Sequence, residues 1–127
     1  MSAMLRSNLS HALGAFFAMG GWALFANRAH PAPEMGLAAL VQGVLSACVT
    51  LGMKQGVEAG VARLRGWPAR LLPPLACGVL SVSLLSLVHR LAGTPEVLAT
   101  IAVPVTVATS YAALYTQALI AQRSRTL

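Results

Sequence analysis

The sequence predicts an all-α, polytopic membrane protein of four transmembrane helices, and three observations carry that prediction. Apolar residues make up 57% of the 127-residue chain and charged residues only 9%. A soluble domain carries about 25% charged residues, because its surface has to face water. The mean hydropathy of +0.71 agrees. Four apolar stretches, at about 9–26, 35–56, 71–88 and 97–121, have lengths suited to a bilayer crossing, which takes about 20 mostly apolar residues. Together these exclude a soluble enzyme, a disordered tail and a disulfide scaffold. Backbone polar groups cannot stay unpaired in hydrocarbon, so the spans must be helices, forming a single domain over residues 1–127.

The first stretch follows Arg6 and ends at Phe25-Ala26-Asn27-Arg28, with no small-x-small cleavage site. It is longer than the apolar core of about 7–15 residues in a signal peptide, so it reads as a retained helix. The loop after it, 27–33, carries His30-Pro31-Ala32-Pro33, which cannot continue a helix. Glu34 then stands where a carboxylate meets the positive end of the second helix. Between the second and third spans, Gly66-Trp67-Pro68 supplies a break, an interfacial indole and a helix-starting proline. Pro73-Pro74 reads as the opening of the third helix. The turn into the fourth is Gly93-Thr94-Pro95-Glu96, with Thr94 as N-cap, Pro95 in the first helical position and Glu96 in the first turn.

Direction follows from the cations. With the amino terminus inside, cytoplasmic segments hold Arg6, Arg63, Arg65, Arg70, Arg123 and Arg125, against Arg28 and Arg90 opposite. Lys54, near the inner end of the second span, widens the bias. Short loops with strong Lys/Arg asymmetry orient a chain with the cations inside, so both termini are expected on the cytoplasmic side of a bacterial-type inner membrane. The same distribution argues against nucleic acid despite a pI near 10.8, because the cations sit at span ends and not in a stripe interleaved with aromatics.

An offset of 62 residues superposes Arg28 and Pro33-Glu34 on Arg90 and Pro95-Glu96, and Leu9, Leu13, Val41 and Gln55 on Leu71, Leu75, Val103 and Gln117. It pairs the first span with the third and the second with the fourth, the pattern of a parallel repeat of two helical hairpins. Ancestral duplication and the shared demands of leaving and rejoining a membrane would both produce it.

Polar residues inside the spans are the candidates for function, since they should face protein or a wet cavity and not lipid. Gln42, Ser46, Thr50, Lys54 and Glu58 recur every fourth residue along the second span, with Lys54 and Glu58 placed to pair at i, i+4. A second ladder, Gly52, Gly56 and Gly60, reads as a face for close helix packing. The fourth span has Pro104 at its middle with Thr106 and Thr109 following, a kink of the kind that borders cavities. The substrate-binding set is therefore Gln42, Ser46, Thr50, Pro104 and Thr106, with Arg28 and Arg90 attracting an anionic headgroup at the outer surface.

Other groups offer less. His30 and His89 read as headgroup-level loop residues near Glu34 and Glu96, without the compact spacing of metal ligands, and His11 has no evident partner. Cys48 and Cys77 fall at similar depth and behave as small hydrophobes. Tyr115 reads as part of an interfacial aromatic belt. No Asp or Glu lies near mid-span, which argues against carboxylate-coupled proton antiport. No nucleophile elbow, phosphate loop or zinc-protease helix occurs, so neither catalysis, a metal nor a cofactor is expected. Two function classes follow: binding or transport of a lipid-like or small polar or anionic substrate by an oligomer, or a non-catalytic accessory subunit of a membrane complex in which the polar residues are glue. The expected partners are the bilayer and either a second copy or a complex partner.

Overall fold

Four helices account for nearly all of the computed structural model, which describes residues 2–126. They are α1 (Ala3–Ala26), α2 (Ala32–Arg63), α3 (Gly66–Leu91) and α4 (Val97–Thr126). Each is long and apolar enough to cross a membrane. Large apolar side chains such as Phe17, Leu40, Leu80 and Leu114 stand exposed on all four helices. Contiguous exposed apolar surface on that scale would drive association in water; against lipid chains it is the ordinary outer face of a bundle.

The helices overrun the predicted spans, most of all at the end of α2, which continues to Arg63, and next at the amino terminus, where α1 starts at Ala3. Ser2 caps it by accepting the Leu5 amide at 3.1 Å. Pro33 and Glu34 occupy the first turn of α2 as expected. The α2–α3 link is two residues, because Gly66 at φ 67 takes the left-handed conformation that reverses the chain. Pro73 and Pro74 therefore lie inside α3 and do not open it.

Consecutive helices run antiparallel. Lys54 meets Asn8, Gln42 meets His89 and Arg70 meets Gln117, tying the start of one helix to the end of its neighbour. Among the described residues α1 and α3 do not touch; α2 and α4 pack with each other and with both outer helices. That is the arrangement a two-fold repeat of hairpins requires, with α1 and α3 in equivalent outer places. Both turns, α1–α2 and α3–α4, lie at one end, and the cation-rich α2–α3 link lies at the other.

The close approach of α1 and α2 depends on Gly20 and Gly43. A Cβ on Gly20 would meet the Ala39 carbonyl oxygen at 3.0 Å, and one on Gly43 would meet the Phe16 ring at 3.0 Å. Of the Gly52–Gly56–Gly60 ladder, only Gly60 is used this way, against Pro73 at 3.0 Å. Nothing lies within 4 Å of the Cβ positions of Gly52 and Gly56. The small apolar core, including Val57, Val61, Ala69, Ala112 and Ile120, sits toward the cation-rich end.

Candidate functional site

Two buried polar clusters hold the turn end of the bundle. In the first, Asn27 closes α1 and is fully buried. Its amide nitrogen donates to the Ala23 carbonyl and to Thr100 Oγ1, both at 2.8 Å. Its Oδ1 accepts the Glu96 amide at 3.0 Å. A side chain from α1 thus satisfies a free amide ahead of α4, the role expected of Thr94. Thr94 is committed elsewhere: its hydroxyl bonds His89 Nδ1 at 2.6 Å.

His89 belongs to the second cluster. Far from lying at headgroup level, it is fully buried near the end of α3, with Nε2 2.8 Å from Gln42 Oε1. An amide oxygen only accepts, so Nε2 carries the proton, and Nδ1 accepts from the Thr94 hydroxyl. Gln42 Nε2 in turn donates to Ser46 Oγ at 2.7 Å. The result is one chain of bonds across α2, α3 and the α3–α4 turn. Asn27 and His89 are 62 residues apart, so they occupy matching positions in the two hairpins, each reaching from an outer helix to the other hairpin.

At the surface of this end, His30 Nε2 lies 3.0 Å from Glu96 Oε1. The metal-ligating residues cluster no further: no group of three or more His, Cys, Asp or Glu able to hold a metal occurs among the described residues. Arg28 and Arg90 are exposed. Arg28 donates to the Phe25 carbonyl at 2.9 Å and stacks 3.9 Å from the Phe25 ring centroid.

Two lateral grooves mark the bundle. One, of about 340 Å³, runs between α1 and α4 over a floor from α2 and α3. Ser46, Thr50 and Pro104 from the predicted set line it, with Ser81 and Tyr111. Thr106 does not; it is exposed and donates back to the Ala102 carbonyl at 2.7 Å. Gln42 stands outside the lining, occupied by its network. Pro104 has no amide proton, which leaves the Thr100 carbonyl without its helical donor, and the Trp22 indole donates to the adjacent Ala99 carbonyl at 2.9 Å. The second groove, about 380 Å³, lies between α2 and α3 and includes both free cysteines, Cys48 and Cys77. The walls correspond: His11, Gly14, Ala15, Ala18 and Met19 on α1 match Pro73, Ala76, Cys77, Leu80 and Ser81 on α3 at the offset of 62.

The cation-rich end corrects three further expectations. Lys54 does not pair with Glu58; it turns to α1, where Nζ lies 2.6 Å from His11 Nδ1 and donates to Asn8 Oδ1 at 3.2 Å. His11 therefore has a partner. Glu58 accepts the Tyr115 hydroxyl across α2 and α4, so that hydroxyl joins helices as well as lying near an interface. Arg123 donates to the Val61 carbonyl at 2.6 Å and to that of Leu64 at 3.3 Å, capping α2. Local spacing does not reveal the cross-helix contacts of Asn27, His89 and His11, which join residues 43 to 73 apart in sequence.

Fold and site define a small four-helix chain with four candidate membrane spans, polar clasps at the turn end and two apolar lateral grooves. Comparison with protein-family models, curated proteins and solved structures finds no match.

Proposed function

We propose that the protein is a non-catalytic, multi-pass inner-membrane protein that binds a lipid-like molecule in the α1/α4 groove. The observation that carries this reading is the groove itself. Its volume of about 340 Å³ falls within the about 300–1,000 Å³ of small-molecule sites. It lies between α1 and α4, its wall is mostly apolar, and Ser46 and Thr50 offer hydroxyls on its floor. The bias of Arg and Lys to the end holding both chain termini supports a cytoplasmic placement of that end. A tag on either terminus should then be digested by protease only in inside-out vesicles. Self-association belongs to the same reading, since four helices enclose little volume and the open Gly52 and Gly56 positions suit a close helix contact.

Gly14→Phe tests the groove. Gly14 lines it, and nothing lies within 4 Å of its Cβ position, so the ring enters open space and leaves the packing intact. Native mass spectrometry should show phospholipid retained by the wild-type protein and lost from the folded variant; equal retention refutes the site. The second reading, an accessory subunit, draws support from Gln42, whose amide is committed at both ends to His89 and Ser46.

A further inference from the structure

We propose that the occupant of the α1/α4 groove is an amphiphile with an anionic headgroup, held at the cation-rich end by Lys54 and His11; this rests on the groove reading above. His11 lines the groove, and Lys54, half-buried, does not line it but reaches it through its contact with His11. An ammonium has donors only. The 2.6 Å contact therefore makes His11 Nδ1 the acceptor and puts the imidazole proton on Nε2. Nε2 has no partner among the described residues, so it is a donor held in orientation by a cation.

No carboxylate neutralises Lys54. The one His, Lys or Arg pair with a carboxylate within 4.0 Å among the described residues is His30 with Glu96, at the opposite end, and Glu58 is occupied by Tyr115. A half-buried ammonium without a counter-charge is costly inside a bundle. Lys54 lies in the last third of α2, toward the cation-rich end of the bundle, where an anionic headgroup at that membrane face would meet it. The acyl chain would then run along the apolar wall past Gly14 and Ala18 toward Met19.

The offset of 62 residues supplies an internal comparison. Sixty-two residues on from His11 and Lys54 stand Pro73 and Thr116, and Thr116 is buried and donates to its own helix at the Ala112 carbonyl. The α2/α3 groove keeps the matching wall but has no cation in the matching place, so one anionic lipid per chain is expected. The outer arginines favoured by sequence do not line the groove.

The test measures binding of phosphatidylglycerol and phosphatidylcholine to detergent-purified protein by native mass spectrometry, with Lys54→Met and Gly14→Phe beside the wild type. The wild type should hold one phosphatidylglycerol per chain in preference to phosphatidylcholine. Lys54→Met should weaken phosphatidylglycerol at least about fivefold, the worth of one membrane-surface cation, and leave phosphatidylcholine unchanged. Circular dichroism checks that each variant is folded, and Lys54→Arg should restore the preference if Lys54→Met is not. Inorganic phosphate at millimolar concentration should not compete; full competition would make a free anion the ligand and overturn the proposal. If Gly14→Phe abolishes binding while Lys54→Met keeps the preference, the headgroup assignment fails and the groove stands. If neither variant changes binding, both fail.

Discussion

Replacing Gln42 by Leu should destabilise the folded bundle through a group that is not itself altered. Gln42 is fully buried, and the change removes its bonds to Ser46 Oγ and His89 Nε2. Leu is close in volume, so little cavity is created; the cost is the His89 N–H, left buried without an acceptor. An orphaned buried donor costs about 1–3 kcal/mol, and hydrogen bonds between membrane helices average about 0.6 kcal/mol, so a loss near 1–2 kcal/mol is expected. His89→Leu alone orphans the Gln42 oxygen and the Thr94 hydroxyl and should cost a similar amount. The double variant leaves neither the Gln42 oxygen nor the His89 N–H buried, and should be destabilised by less than the sum of the two single changes, by about 1 kcal/mol or more. Reversible unfolding in mixed micelles of mild detergent and sodium dodecyl sulfate measures all three. Additivity within about 0.5 kcal/mol, the behaviour of independent sites, would refute the network.

Asn27→Leu removes three bonds at once and frees the Glu96 amide. It should cost about 2–3 kcal/mol, against less than about 0.5 kcal/mol for the exposed Arg90→Ala, in the same unfolding assay. Gly43→Ala forces a methyl against the Phe16 ring and should destabilise the α1–α2 contact by about 1–3 kcal/mol. Gly56→Ala meets nothing and should leave monomer stability unchanged or slightly raised; a loss matching that of Gly43→Ala would contradict the packing described.

What the residues alone determine is the solvent, the number of crossings, the helical state and the charge bias between the two ends. Each is a local property: about 20 apolar residues cross the bilayer wherever their partners are, and a proline or arginine at a span end acts on its own segment. The sequence also locates Ser46, Thr50 and Pro104, which line the α1/α4 groove.

Partner choice was decided only by the tertiary structure. The i, i+4 geometry offers Glu58 to Lys54, but the rotation and order of the helices turn Lys54 to His11 and Glu58 to Tyr115. His89 looks like a loop residue until α3 is seen to run through it and bring it against Gln42. In water an apolar stripe would reveal which face of a helix is buried. In lipid the outward face is as apolar as the core, so the pattern carries no sign of rotation. The few polar side chains, paired across tens of residues, fix how these four helices turn toward one another.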